Sequence, residues 1–190
     1  DGTPIPQVTD PTAWSNLTTG AWCYYGNDSS KGKLYNWYAV MGIHDAASLT
    51  DASLRKAFAP EGWHVPTDAE WTTLENYLIT NGYNYDDTTT GNKIGKAMAS
   101  TTRWNTSTNT GAIGNDQSRN NSSDFNAFPE GYRAKNGSFY DEGSDAMFWS
   151  STENNSNDAW NRDLDNDNRT LLRYNFFNKL DGFSVRFVRD

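Results

Sequence analysis

The residues able to do chemistry in this chain are few apart from its acids: one cysteine, Cys23, two histidines, His44 and His64, and 24 Asp and Glu residues. A single Cys can form neither an internal disulfide nor a cysteine zinc cluster. Ser150-Ser151-Thr152 offers hydroxyls, but neither His stands in a spacing that would make it their base. The acids permit carboxylate pairs anywhere and single none out. His64, between Trp63 and Val65, reads as a structural histidine with a satisfied hydrogen bond, and His44 as a loop residue. Cys23 lies among aromatics and reads as a small buried hydrophobe. The expectation is a chain that is not an enzyme.

The richest chemistry is recognition. From Glu153 to Asp181 the chain carries eight Asn, with Asp, Ser, Arg and Thr between them and no hydrophobic period. Tyr, Asn, Ser and Asp on a rigid frame make a versatile contact surface, because Tyr gives area at low entropic cost and small polar side chains adapt their hydrogen bonds. The candidate ligand-binding residues are Asn155, Asn157, Asp158, Asn161, Asp163, Asp165, Asp167, Arg173, Tyr174, Phe176, Phe177 and Leu180. Strand alternation would turn Trp160, Arg162 and Leu164 inward and Asn161, Asp163, Asp165 and Asp167 outward. No metal ligand set is expected and no cofactor; Ca²⁺, an oxygen-binding ion, is the one cation that the acidity would suit.

Several elements must position that stretch. Ala21–Tyr25 and Lys33–Val40 are strand-capable and flank a turn-rich segment. Residues 1–20 read as extended. A short helix is expected over Ser53–Phe58, starting near Thr50. Thr67 and Glu70 form a capping box after Pro66, and Trp71, Leu74 and Leu78 then fall on one helical face, with Asn81-Gly82 as the stop. A third helix fits Asn92–Ser100. Residues 101–126 are nearly all polar and read as a long surface loop. Ala146–Ser150 and Phe183–Val188 carry strand signals. Gly131-Tyr132-Arg133 and Arg186 read as ties from loops to buried acids. The whole is expected to be one α+β domain over 1–190, with an extended segment at 1–20 and a variable-looking region at 153–181.

Bulk composition agrees. Aromatics make up 14% of the 190 residues and all hydrophobics only 35%, so the core must be built from rings. The 22 Asn favour turns and loops. A net charge of -8 argues against nucleic acid and anionic lipid surfaces. No apolar run is long enough to span a membrane. The opening Asp1-Gly2-Thr3-Pro4 reads as a chain trimmed after a signal or lipid tether, which places it outside the cell or on an outer membrane.

Six blocks carry a resemblance. They are Thr3–Pro6 with Val8–Asp10, Leu34–Val40, Ala59–Trp71, Phe125–Arg133, Phe148–Glu153 and Gly182–Asp190. In order and spacing they resemble the Fibrobacter succinogenes major paralogous domain family and cover nearly the whole chain. That resemblance implies a secreted or surface-anchored protein of Bacteroidetes-type bacteria. Trp63–Trp71 and Ser184-Val185-Arg186 are also similar to formylglycine-generating enzymes, which implies a C-type-lectin-like fold with a small antiparallel sheet, two or three helices and long loops. The copper site of those enzymes needs a cysteine pair, and related sulfoxide synthases need three histidines; this chain has neither. Within 153–181 only Glu153, Trp160 and Lys179 lie outside the residues reachable by replacing adenines of an AAC codon. The stretch thus looks like the variable region of proteins diversified by retroelements. The partner implied is a protein or glycan at a cell surface, for adhesion or recognition. The Glu-Pro-Asn and Trp-Asn-Asp motifs of calcium-dependent sugar binding are absent. A structural module of a surface or pilus protein, and more remotely an uncharacterised hydrolase, are the alternatives.

Overall fold

A computed structural model of the protein describes residues 4–190; Thr3 of the first matching block, and residues 1–3 of the segment expected to be extended, lie outside them. The helices are α1 (Pro11–Ser15), α2 (Trp37–Val40), α3 (Ala46–Thr50), α4 (Asp68–Thr80) and α5 (Gly95–Met98). The strands are β1 (Trp22–Tyr24), β2 (Lys33–Tyr35), β3 (Trp63–His64), β4 (Tyr132–Arg133), β5 (Phe139–Tyr140), β6 (Asp145–Glu153), β7 (Asp158–Asp165), β8 (Leu172–Asn178) and β9 (Val188–Arg189). All strand pairs are antiparallel: β1 with β2, β3 with β9, β4 with β5, and a three-stranded sheet in the order β6-β7-β8. The fold is mixed α and β, with small antiparallel sheets and short helices.

The longest helix forms where the sequence places it. Thr67 Oγ1 accepts from the Glu70 amide and Glu70 reaches back to the Thr67 amide, so two otherwise orphaned donors are satisfied at once. Trp71 and Leu78 are buried and Leu74 packs beside them. Other boundaries moved. Asp10 caps α1, so the N-terminal segment is not extended throughout. Lys33–Val40 divides at Asn36, whose side chain accepts from the Ala39 amide and starts α2. Of the helix expected over Ser53–Phe58 only a single 3-10 turn forms, at Ala52–Leu54, and the α-helix lies earlier, at α3, where Asp45 and Ser48 form their own capping box. After Phe183 and Ser184 pair by single bridges, the closing strand resumes only at β9.

β6 is the spine. Ala146 and Phe148 enter one aromatic cluster with Trp71, Ile113 and Leu164. Met147 and Trp149 enter a second, with Trp37, Val65 and Phe183. Both faces of this sheet are therefore covered, which removes the inside-outside distinction that alternation relies on. A third cluster gathers Trp14, Cys23 and Leu34.

Residues 101–126 are not only surface. Trp104, Ala112 and Ile113 are buried. The segment is tied down by Lys96, whose buried ammonium donates to the carbonyls of Ala112 (3.3 Å), Asp116 (3.0 Å) and Asn115. Arg133 and Arg186 do tie loops, though not to acids. Arg133 donates to the carbonyls of Val8, Thr9 and Gly137 at 2.7, 2.9 and 3.0 Å, and Arg186 to those of Phe125 and Asn126 at 3.1 and 3.2 Å. Loop backbone has free carbonyls to offer, and a fan of N–H donors collects several at once.

Replacing Lys96 by Met keeps the stem and strips three carbonyls of their donor. Chemical denaturation should show a loss of about 2 kcal/mol or more, with faster amide exchange over 105–120; unchanged exchange there would refute the anchoring role.

Candidate functional site

The Asn-rich stretch forms the hairpin β6–β7 and the outer strand β8. At the hairpin tip Asn155 organises the turn: its Oδ1 accepts from the amides of Asn157 (2.8 Å) and Asp158 (3.0 Å), and its Nδ2 donates to the Asp158 carboxylate at 3.0 Å. Asn155 and Asn157 are exposed. Asn154 crosses to β8, donating to the Asn175 carbonyl at 2.8 Å. At the other end Asp165 accepts from the amide of exposed Asp167 at 2.8 Å.

Two candidates on β7 face the other way from expectation. Asn161 is 0% and Asp163 5% exposed, because the strand lies between β6 and β8 and packs on both sides. Arg162 and Leu164 are buried as well, on the side of α4. Among the described residues no group satisfies either amide atom of Asn161 or Oδ1 of Asp163.

Arg173, exposed on β8, is engaged within the chain. It grips Asp68 at the start of α4 through Nε (2.9 Å to Oδ1) and a terminal nitrogen (2.6 Å to Oδ2), while Arg162 reaches the same carboxylate at 2.6 Å. The Arg173 guanidinium lies 3.7 Å from the Trp160 ring centre. Burial pushes the Asp68 carboxyl up, but hydrogen bonds from Arg173 and Arg162 outweigh it and hold the group below the usual carboxylate range. This clamp fastens β7 and β8 to α4. Leu180 sits in the turn after β8, where its carbonyl accepts from the Trp14 indole at 2.9 Å.

Three aromatic candidates do come together. Tyr174 and Phe176 have ring centres 5.0 Å apart, and Phe176 stacks on Phe177 at 4.9 Å. Phe177 in turn meets Tyr132 at 6.1 Å, and Tyr132 meets Tyr140 at 5.8 Å. Phe176 is 62% and Tyr140 43% exposed. Between the β4–β5 hairpin and the end of β8 these rings border a groove of about 440 Å³ whose polar lining includes Asn136, Asn178, Lys135 and Asp181. At the open base of the hairpin stands Gly131, in the left-handed region (φ 62°), where a Cβ would lie 2.2 Å from the Tyr140 carbonyl oxygen. Asp181 accepts from the amides of Lys135 (2.7 Å) and Asn178 (2.8 Å), and burial pushes its carboxyl up to about 6. Tyr132, Tyr140, Asn136 and Asp181 are additions to the candidate set. Tyr132 stood in a matching block, but nothing near Tyr140 signalled that a second hairpin would meet β8.

Acids underlie the rings. Asp145 pairs directly with Asp165 across β6 and β7, and Asp163 lies two residues along on the same face. Burial, then the neighbouring Asp141 and Asp165, push Asp145 up to about 7. Burial and the charges of Asp145, Asp165 and Asp141 raise Asp163 further. Tyr132 is pushed up to about 12 by burial and by Asp141, Asp181 and Asp145, and Tyr174 is raised by burial and by Asp163, Asp165 and Asp145. Among the described residues no three His, Cys, Asp or Glu side chains are placed to hold one metal ion.

The remaining reactive groups are engaged. His64 Nδ1 lies 2.6 Å from the Asp190 carboxylate and Nε2 2.8 Å from Glu70; these contacts raise its pKa, Asp190 first. His44 Nδ1 lies 3.2 Å from the Gly42 carbonyl. Cys23 is buried, and burial pushes its thiol up to about 11.

One family model, that of the Fibrobacter succinogenes major domain, matches residues 1–189. No curated protein and no solved structure matches the chain.

The raised carboxyls fix a pH dependence. Asp145, Asp163 and Asp181 keep protons in the folded chain that the unfolded chain releases above its ordinary carboxyl value, so stability falls as pH rises through roughly 4 to 7. His64, raised, acts in the same direction: its contribution is complete below its unfolded value and is lost as pH climbs through its folded one. Asp68, Glu70 and Asp86 are lowered and weaken the fold only at more acidic pH. Melting temperature should be several degrees higher at about pH 5 than at about pH 8. Asp163→Asn should flatten that slope and raise the melting temperature at the higher pH; a variant as pH-sensitive as the parent would contradict the assignment.

Proposed function

The chain belongs to the Fibrobacter succinogenes major domain family, and we propose that it is a non-catalytic recognition domain of a secreted or surface-anchored bacterial protein, with a C-type-lectin type of fold. Its contact surface is the ring groove between β4–β5 and β8, extended along the Asn-rich tip of the β6–β7 hairpin. The observation that carries this reading is the exposed aromatic ridge Phe176–Phe177–Tyr132–Tyr140, rooted by Phe177 and Tyr132 on buried Phe183. Large rings that remain half-exposed on a rigid base, ringed by amides, are what interface hot spots are made of. The engagement of both histidines and the burial of Cys23 favour binding over chemistry. The ligand is a protein or glycan at a cell surface.

Retroelement diversification is a refinement of this reading. Two of the three residues outside the AAC-reachable set pair with each other, since buried Lys179 bonds Glu153, and the third, Trp160, stacks on Arg173. They serve the frame, as does Asn155, which organises the hairpin turn, while exposed Asn157 and Phe176 are positions free to vary. Sequencing the flanking DNA tests the refinement: without a near-identical Asn-rich template repeat and a reverse transcriptase it fails.

The recognition reading itself is tested by screening the purified domain against arrays of cell-surface proteins and glycans. For any ligand found, Phe176→Ala and Tyr140→Ala together should weaken binding at least tenfold, as loss of a hot spot does, with the melting temperature little changed. Binding that survives both changes would mean that the contact surface lies elsewhere.

A further inference from the structure

Ring clusters in this protein are paired with cations. Lys33 lies 4.4 Å from the Trp22 ring, which belongs to the Tyr35–Phe58–Phe187 cluster. Arg133 covers Phe139, partner of Tyr25, at 4.9 Å. Arg186 covers Phe125 and Phe148, partners of Trp71, at 5.0 and 5.7 Å. The exception is the cluster of Tyr174, Phe176, Phe177, Tyr132 and Tyr140: among the described residues no ammonium or guanidinium lies over any of these rings. The nearby cations are committed elsewhere: Arg173 to Asp68 and Trp160, Lys179 to Glu153 and Trp37, and Arg133 to three carbonyls. Lys135, exposed at the groove's edge, is the one cation in its lining.

Carboxyls back these rings, and those of Asp181 and Asp145, pushed up to about 6 and about 7, make the field there more negative as pH rises through those values. Asp141, Asp145 and Asp181 act on the Tyr132 hydroxyl, and Asp163, Asp165 and Asp145 on that of Tyr174. Ring faces are themselves electron-rich and attract cations. Rings backed by acids, with no cation of the described residues over them, therefore present a face that favours positive charge.

We propose that the groove between Tyr132–Tyr140 and Phe176–Phe177 takes a cationic side chain, arginine above lysine, presented by a protein partner. The planar guanidinium can stack on the exposed Phe176 and Tyr140 rings, as this chain's own Arg173 does on Trp160. Asn136 and Asn178 line the rim; each side-chain oxygen already accepts one backbone amide, from Ser138 and Leu180, and keeps a second lone pair for a guanidinium N–H. A neutral sugar would gain the rings and hydrogen bonds but no attraction of charge from the acids. This inference rests on the recognition reading and names its ligand class.

The test is an NMR titration of the full chain, labelled in the Phe and Tyr rings, with acetyl-tetraarginine amide and, separately, maltotetraose. The arginine peptide should shift the Phe176 and Tyr140 resonances, and added salt should weaken its binding. Phe176→Leu and Tyr140→Leu keep apolar bulk but remove the ring face; each should weaken the peptide roughly fivefold. Equal affinity in both variants would mean attraction to net charge alone and would overturn the proposal. Rings that respond to maltotetraose and not to the peptide would overturn the cationic assignment while leaving recognition at this groove intact. Rings that respond to neither overturn the assignment too, and the array screen then decides whether recognition survives without it.

Discussion

Indole N–H groups hold this molecule together. A chain with so few aliphatic residues must fill its interior with rings, and a buried indole needs a partner for its one donor. Four of them find a backbone carbonyl far along the chain: Trp14 that of Leu180, Trp22 that of Ile5, Trp37 that of Ser150 and Trp149 that of Tyr35, at 2.9 to 3.0 Å. Each such bond welds a loop-rich segment to a distant one while the ring fills the space between. Trp71 is the exception, its indole nitrogen buried without a partner among the described residues. Trp149 also stacks on Phe183 at 4.1 Å, and Phe183 carries Phe177 and Tyr132 above it. The ring groove is thus the outermost layer of the aromatic stack that forms the core.

What could be seen in the sequence was what local chemistry decides. The capping box at Thr67 and Glu70 needs only its own turn, and α4 formed as expected. β6 formed where an apolar run had to be a strand. What could not be seen was decided by distant partners. Asn161 and Asp163 were assigned outward on a two-residue alternation, but β7 is sandwiched, and burial on both faces defeats that rule. Arg173 was assigned to a ligand because nothing local shows that Asp68, more than a hundred residues earlier, would claim it. The polar composition of 101–126 concealed that Trp104 and Ile113 are core residues. The ring candidates fared differently: Tyr174, Phe176 and Phe177 do gather, because one strand carries them all.

Charge follows the same division of labour. Cations are spent inside, on ring faces and loop carbonyls, as Lys96, Arg133 and Arg186 show. Acids collect on the inner face of β6 and β7, where burial and mutual repulsion disfavour ionisation and push the carboxyls of Asp145 and Asp163 up. The clamp of Arg162 and Arg173 on Asp68 supplies on the α4 side the neutralisation that the acids on the opposite face lack.

β8 has one further consequence. It is the outermost strand, bonded only to β7, and with Arg173 clamped to Asp68 its remaining exposed side chain, Phe176, stands 62% exposed above the packing beneath. Exchanging such a side chain alters what the surface prefers while hardly touching the free energy of folding. Over generations, preference can therefore drift or be reshaped there much faster than the architecture decays, which makes this strand the most evolvable part of the molecule.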